Sequence, residues 1–383
     1  MTNPPIALLI LIGGRQTPNI LSAQYLRPHI IAPVASREAL QPGQAWEKVK
    51  PILASIGGTI LEPVQVDAFD LAAIKAACAR IIDQHPAAHW VCNVTCATTI
   101  MSIGAYEVGR DKGADVWYFD TNSRRVIALA GQPPQGDPYR LSVAEYFSIY
   151  QRQAQPALPP PPSWLDLARQ MAQAPDEAIE FRERLRGSGA NVGYTGPRWL
   201  NNVSMTPTMQ AWLPFLKQAG FIDQAQQQNG SYSLHQTGQD LWKFVDGQWL
   251  EMFAWEAARQ AGIFDDYQYG LEIPTGGQTA INQLDLAATY SASLLIAECK
   301  TEDKPFKTAT LDKLNSIADM VGGSFVVKLL ITARSRQKAD PQQVAAFHDQ
   351  AKARRIVVVT GEDLLRLNET LAKEAKNPTY PRA

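Results

Sequence analysis

Residues 283 to 301 read QLDLAATYSASLLIAECKT, two apolar runs of which the first carries Asp285 and the second closes on Glu298 and Lys300. In a strand, successive side chains alternate between faces. Leu294, Ile296, Glu298 and Lys300 therefore share one face, and Leu295, Ala297 and Cys299 the other. Residues 290 to 293 read as a tight loop between the runs. A hairpin folded symmetrically about it sets Asp285 opposite Glu298, where cross-strand neighbours stand about 5 Å apart. Two carboxylates that close repel, and one resists ionising unless a cation lies between them. A hard divalent ion such as Mg²⁺ takes a few carboxylates and fills its remaining positions with water and substrate phosphate. Lys300 then lies within reach of that water or of a phosphate oxygen.

Glu-x-Lys alone is an ordinary solvated strand end in a chain that is 19% charged. A further carboxylate strengthens the chemistry. Residues 247 to 262, GQWLEMFAWEAARQAG, carry the period of an amphipathic helix with Trp249, Leu250, Phe253 and Ala257 inward. Glu251 falls inside that apolar stretch, and the helix leads into the strand pair. A helix packed beneath the hairpin would complete an acidic pocket.

The ordered set Glu251, Asp285, Glu298-Cys299-Lys300 resembles the PD-(D/E)xK core of restriction-endonuclease-like enzymes. Four stretches, GQWLE, NQLDL, LLIAECKT and KLNSIADMVGG (313 to 323), resemble the nuclease half of CRISPR-associated Rossmann-fold (CARF) nucleases. The resemblance implies a homodimer that binds a cyclic oligoadenylate, most expectedly cyclic tetra-adenylate, and then hydrolyses single-stranded DNA or RNA, with nicking of duplex DNA included, in antiviral type III CRISPR defence. It implies that Asp285 and Glu298 hold Mn²⁺ or Mg²⁺. Glu251 would add a ligand or orient water. Lys300 would position or help deprotonate the attacking water or stabilise transition-state charge, and Lys313 would contact substrate phosphate.

Composition fits a soluble globular chain. It has 383 residues, 45% of them hydrophobic, and a formal net charge of −1, enough for two or three domains. No apolar run approaches the length of a membrane span. The opening MTNPPIALLILIGG lacks a basic region and a cleavage motif, so it reads as a buried strand. Cys78, Cys92, Cys96 and Cys299 form no Cys-x-x-Cys pair, which argues against a zinc site and a disulfide framework and for a reducing cytoplasm. Charge is unevenly spread. Residues 300 to 355 hold eleven Lys and Arg against six Asp and Glu, with clusters RSRQK (334 to 338) and KARR (352 to 355). The plain explanation is a solvated helix face, and beside an acidic pocket a basic rim for phosphates is the competing one.

The chain reads as α/β in three parts: a Rossmann-like sensor over 1–155, a linker and winged-helix-like segment over 156–244, and a restriction-endonuclease-like domain over 245–383. Strand and helix patterns alternate through the first part, as IALLILI, IIAPVA, QAWEKVKPILASIG, TILEPVQV, DLAAIKAACARIIDQ capped by Asp70, HWVCNVT, ATTIMSIGAYEVGR, DVWYFD and RVIALA. That alternation argues a doubly wound, mostly parallel sheet. QRQAQPALPPPPSW (151 to 164) reads as a stiff linker. In the middle part, the stretch that would enter a DNA groove, TMQAWLPFLKQAG, offers only Lys217 as a base. A spacer or dimerisation module is therefore the favoured role.

Ligands of open α/β sheets bind at the carboxyl ends of strands, where helix N-termini favour anions. Two loops qualify. IGGRQTPN (12 to 19) supplies Gly13 and Gly14 for close approach and Arg15, Gln16 and Thr17 as donors. NVTCATTIMS (93 to 102) supplies Thr95, Thr98 and Thr99 around a helix start, though an ordinary capped turn explains either loop as well. By the resemblance, NVTCATTIM stands where CARF sensors carry Asn-x-Thr-Gly-Gly-Thr-Lys-x-Met. Asn93, Thr95, Thr98 and Met101 match, whereas Cys96 and Ala97 replace the glycines and Thr99 the lysine. The loss of two glycines and one charge puts ring size and affinity in question. Arg80 to His85 spells the Arg-x-x-x-x-His of HEPN ribonucleases but closes an amphipathic helix, and it reads as a chance match. Two other functions compete with the gated nuclease: a ligand-responsive winged-helix transcription regulator with an inactive nuclease-like domain, and a constitutive repair or restriction enzyme.

Overall fold

A computed structural model describes residues 4–13, 16–120, 123–150, 152–189, 196–237, 241–274, 281–322 and 326–380. The chain forms two compact units, Met1–Arg140 and Leu141–Ala383, so the proline run lies inside the second.

The first unit contains, in order, β1 (Ile6–Ile12), α1 (Thr17–Leu26), β2 (Ile30–Ser36), α2 (Ala45–Ile56), β3 (Thr59–Ile60), β4 (Val64–Val66), α3 (Leu71–Gln84), β5 (His89–Asn93), α4 (Thr99–Asp111), β6 (Asp115–Asp120) and β7 (Arg125–Ala130). Strand order is β3-β2-β1-β5-β6-β7, with β4 also on β2. Pairing is parallel except for the antiparallel β6–β7 edge. β1 and β2 are buried almost throughout, as apolar runs covered on both faces must be. Asp70 caps α3 by accepting from the Ala73 N–H, as its position predicts. The pattern departs from expectation twice. TILEPVQV is two short strands rather than one, because Pro63 has no N–H for a ladder. Residues 17–19, expected in a loop, are the first turn of α1, with Pro18 preset for a helix start.

The second unit begins with α5 (Val143–Ile149), closed by a capping box between Ser142 and Glu145. It continues through α6 (Pro162–Gln173), α7 (Pro175–Gly187), β8 (Arg198–Val203), α8 (Pro207–Ala211), α9 (Leu213–Gln218), β9 (Ile222–Gln228), β10 (Ser231–Gln236), α10 (Leu241–Lys243), a π-turn over Phe244–Gln248 and α11 (Trp249–Ala261). Then come β11 (Asp266–Pro274), β12 (Ile281–Tyr290), β13 (Ser293–Lys300), α12 (Thr308–Met320), β14 (Val327–Thr332), α13 (Pro341–Ala353), β15 (Ile356–Val359) and α14 (Leu367–Lys376). A three-stranded sheet, β8-β10-β9, and short helices give the winged-helix-like part. The stretch expected to be its recognition helix is instead α8 and α9, broken at Trp212 next to Pro214, with Met209, Trp212 and Leu216 buried. Pro175 likewise divides α6 from α7.

The mixed sheet β11-β12-β13-β14-β15 is antiparallel across its first three strands and parallel thereafter. One continuous core joins Leu295, Ala297, Leu329 and Ile331 of this sheet to Trp249 and Leu250 of α11, and to Trp212 and Phe221 of the winged-helix-like part. The proline segment is no free linker. Gln155 and Glu272 exchange backbone hydrogen bonds of 3.0 and 2.9 Å, and the Ala157 N–H donates to the Tyr269 carbonyl. Residues 155–157 thus line the outer edge of β11.

Glu256 of α11 shows what holds that helix in place. It is 1% exposed, and both its oxygens accept from Arg169 at 2.8 Å, with Arg259 adding a third bond. Burial pushes this carboxyl up, but those hydrogen bonds and charges outweigh it and hold the pKa below the usual range. Its stabilisation is therefore present at neutral pH and lost as pH falls through the folded pKa. Arg169→Met should destabilise the protein by about 2 kcal/mol, less than the full penalty for an unpaired buried charge because Arg259 remains. Chemical denaturation at neutral pH checks this, and an unchanged midpoint would show that the pair holds nothing.

Candidate active site

The hairpin β12–β13 turns on two residues, Ser291 and Ala292, both in the left-handed region at φ 50° and 56°. The loop is thus shorter than the four residues expected, and Tyr290 pairs with Ser293. Its symmetry is nevertheless the anticipated one. Leu286 faces Ala297, and one step further along each strand stand Asp285 and Glu298. Asp285 is 6% exposed and Glu298 2%.

Two lysines grip Glu298. Its Oε1 accepts from Lys300 Nζ at 2.7 Å and from Lys313 Nζ at 2.8 Å, and its Oε2 accepts from Lys313 at 3.1 Å. Lys313 reaches in from α12, which packs on β13 and β14. Asp285 Oδ2 accepts the Cys299 N–H at 2.6 Å. Glu251 comes from α11, on the face that Leu295 and Ala297 share. A π-turn and a kink at Gly247 set the start of that helix. The Thr301 hydroxyl donates to the Asp246 carbonyl at 2.5 Å, tying this turn to the end of β13. Arg182 holds the Asp246 carboxylate. π-turns inside helices recur at functional sites, where they re-aim a side chain.

The three carboxylates perturb one another. Burial first, then the charge of Glu298, pushes Glu251 up to about 7, with Lys300, Lys243 and Lys313 pulling the other way. Asp285 is raised well above the carboxylate range by burial and by the charges of Glu298 and Glu251, against the Cys299 N–H. Burial lowers the Lys300 pKa, yet Glu298 and Asp285 outweigh it and the net shift is upward. Lys300 is therefore a charged donor at neutral pH. In that state its ammonium can hold an anionic oxygen.

A divalent metal can be tested against these residues. All donors are carboxylate oxygens, which suit a hard cation. The raised Glu251 and Asp285 carry repulsion that a cation would relieve. The group fits in kind, with one correction to the expected geometry. Among the described residues, no three His, Cys, Asp or Glu side chains form a ready ligand cluster. Lys300 and Lys313 both engage Glu298.

The basic rim is largely spent inside the fold. Arg334 is 6% exposed and bonds Asp176 at 2.9 Å and Asp303. Arg336 bonds Thr360 and Asp363, and Arg354 bonds Asp312. Lys304, Lys338 and Lys352 stay exposed with no ion pair among the described residues. In the first unit, the helix of the Arg80 to His85 match leaves Arg80 exposed and ends with His85 against Trp90.

The two sensor loops follow adjacent strands, β1 and β5, and abut. A Cβ on Gly13 would lie 2.6 Å from the Cys96 carbonyl and 2.9 Å from the Ala97 Cα. Asn93 is fully buried and its amide donates to Asn19 and Ser22, while its carbonyl oxygen accepts from the Thr95 N–H and hydroxyl. Thr95 Oγ1 in turn accepts the Phe119 N–H, and Thr98 caps α4 and donates to the Ala68 carbonyl. Gln16 donates to the Gly13 carbonyl. Asn93, Thr95, Cys96 and Thr98 thus build the loop, and Thr99 is the exposed hydroxyl of the set. Thr17 and Ala97 are half-buried beside it. Gly14 and Arg15 lie outside the described residues. Sequence reasoning missed Asn19, whose amide donates to the Leu11 carbonyl and the Gln16 side chain and whose oxygen receives Asn93.

A family model described as a Card1-like endonuclease domain matches residues 239–377. A second, described as a Card1 CARF domain, matches residues 44–146, and together the two take in more than half of the chain. The chain belongs to the Card1-like CARF nucleases. The endonuclease match contains Glu251, Asp285, Glu298, Lys300 and Lys313, and the CARF match contains the loop at 93–102. Among solved structures, Can2 from Sulfobacillus thermosulfidooxidans in complex with cyclic tetra-adenylate is similar at TM-score 0.65 and 19% identity, over 97% of each chain. Protein VC1899 from Vibrio cholerae is similar at TM-score 0.68 and 17% identity, over 98% of this chain and 99% of that one. A type III CRISPR defence DNA nuclease activated by cyclic oligoadenylate matches at TM-score 0.53 and 16% identity, over 87% of this chain and 46% of its own. At these identities the likeness shows the fold. No curated protein matches. Among the described residues, no helix is long and apolar enough to cross a membrane.

For this Card1-like chain, the raised carboxyl of Glu251 has a thermodynamic sign. A folded pKa near 7 means the metal-free folded state holds a proton that the unfolded state has released. The destabilisation is absent below the unfolded pKa of the carboxyl, grows as pH rises, and is complete above the folded pKa. At about pH 8 in chelator, Glu251→Gln should therefore stabilise the protein by on the order of 2 kcal/mol. At about pH 4 the gain should vanish. Thermal melts of both proteins across this range check it, and a gain independent of pH would contradict the electrostatic cause.

Proposed function

We propose that the chain is a divalent-metal-dependent nuclease that cuts single-stranded DNA or RNA once a cyclic oligoadenylate binds its sensor. It would act in the cytoplasm as a homodimer, in type III CRISPR defence. The observation that carries this reading is the buried pair Asp285 and Glu298 at one strand end, beside Lys300 and Lys313 and near enough to Glu251 for their charges to act on one another. Two structural relatives, one in complex with cyclic tetra-adenylate and one activated by cyclic oligoadenylate, support the gating.

Asp285 and Glu298 would hold Mn²⁺ or Mg²⁺, with Glu251 as a third oxygen donor. When bound, such an ion neutralises charge at a phosphate and acidifies water. The chain's own residues do the rest. Lys300 and Lys313, which pair with Glu298 at rest, would hold phosphate oxygens and the charge that grows on them. Where it is not itself a ligand, the Glu251 carboxylate would orient the attacking water. Cys299 N–H fixes the rotamer of Asp285.

The abutting loops after β1 and β5 offer the α1 and α4 N-termini and the Thr99 hydroxyl to an anionic ligand. Cys96 and Ala97 at the place of a glycine pair favour contact through side chains over close backbone approach. A two-fold dimer would present this surface twice, matching a symmetric ring. The ring acts as a switch only if it binds the cutting-competent arrangement more tightly than the resting one. The α8–α9 pair, broken at Trp212 and carrying Lys217 as its one base, gives the transcription-regulator reading little with which to read a groove.

The test is a cleavage assay on single-stranded DNA, single-stranded RNA and plasmid with Mn²⁺ or Mg²⁺, with and without cyclic tri-, tetra- and hexa-adenylate. One ring should be required, and Glu298→Ala and Lys300→Ala should each lower the rate by at least about 100-fold. Equal cutting without any ring would remove the sensor from the account. Metal- and ring-dependent cutting that survives both substitutions would move the active site elsewhere.

A further inference from the structure

A cavity of about 630 Å³ opens beside Glu251, a size suited to a small organic group. Its walls are fixed by backbone. Residues 155–157 are laced to β11 by the paired bonds of Gln155 and Glu272 and by the bond from Ala157 to Tyr269. Gly270 stands at φ 57°, and a Cβ there would meet Ala157 at 3.1 Å, so a glycine lets the segment close onto the strand. Tyr269, anchored through its hydroxyl to the Leu158 carbonyl, and Trp242 supply flat apolar surface. The polar lining includes the carboxylates of Asp246, Glu251 and Glu272, against the single ammonium of Lys243.

That charge balance decides what can enter. A phosphate would face three carboxylates and is repelled, while Lys300 and Lys313 attract it at the strand end. A neutral planar group with hydrogen-bond donors suits both the aromatic surface and the acceptors. Asp246 is already engaged by Arg182, and Glu251 belongs to the catalytic cluster. Glu272 and Gln283 remain. They are register partners on β11 and β12, both exposed, and neither side chain holds a hydrogen bond among the described residues.

We infer that this cavity receives an unpaired nucleobase of the substrate strand adjacent to the scissile phosphate, and that Glu272 with Gln283 selects bases bearing an exocyclic amino group. Adenine, cytosine and guanine offer that donor to the Glu272 carboxylate, whereas thymine and uracil offer a carbonyl oxygen in its place. The inference rests on the nuclease reading above and adds a base preference to it.

The test maps cut sites on a random-sequence single strand, with metal and activating ring present, for the wild type, Glu272→Gln and Gln283→Ala. In the wild type, one position at a fixed distance from the cut should be depleted several-fold in thymine or uracil, and both variants should flatten that profile. A defined strand with adenine there should be cut about ten-fold faster than one carrying unsubstituted purine, a comparison that needs no variant. Efficient cutting with no base preference, or a preference that persists in both variants and with purine, overturns the inference while leaving the nuclease intact. No cutting of any strand by the folded wild type overturns the nuclease reading itself, and this one with it.

Discussion

Mutual repulsion among Glu251, Asp285 and Glu298 is the constraint around which the second unit is organised. Carboxylates do not gather in a dry strand end unless something opposes their charge. Here Lys300 and Lys313 oppose it, both on Glu298, and the Cys299 N–H steadies Asp285. Burial first, and then the repulsion that remains, raise the pKa of Glu251 and Asp285. A site in this condition is unstable as a resting structure and receptive to a cation. Stability given up locally in this way is a recurring property of functional sites.

Much of the surrounding fold keeps these groups from drifting apart. Thr301 ties the end of β13 to the π-turn that launches α11. Arg169 and Arg259 clamp that helix through Glu256. Arg334 fastens the loop after β14 to Asp176 at the head of α7. The winged-helix-like part shares one hydrophobic core with the endonuclease sheet, so it acts as structural support for α11. A residue such as Arg334, which looks like a phosphate contact on a basic stretch, is a buried fastener instead.

The neighbourhood of these charged side chains was legible because it depends on short-range rules. Strand alternation put Glu298 and Lys300 on one face, hairpin symmetry put Asp285 opposite Glu298, and helical periodicity placed Glu251 next to the core. The turn length was misjudged because Ser291 and Ala292 adopt left-handed angles without the glycine or asparagine that usually signals them. Long-range partners left no local trace. Arg334 finds Asp176 across 158 positions, and the bridge from Gln155 to Glu272 that walls the cavity sets part of the expected stiff linker against a sheet edge. In the first unit, strand and helix order was readable, but the burial of Asn93 and its link to Asn19 were not, since both depend on β1 and β5 being neighbours. Asn93, Thr95 and Thr98 spend their polar atoms on hydrogen bonds within and beside the loop, whereas Thr99 is exposed.

A bound cation should discharge the charge stored among these carboxylates. The most direct measurement is calorimetric titration of Mn²⁺ into the metal-free protein at about pH 6.5, in two buffers of different ionisation enthalpy. Because Glu251 is partly protonated there and a ligating carboxylate is not, binding should release protons. The apparent enthalpy should then differ between buffers. That difference should shrink at about pH 8.5, and binding should be lost in the paired variant Asp285→Asn with Glu298→Gln. Binding of equal strength in that variant, or with no proton release at the lower pH, would contradict the account.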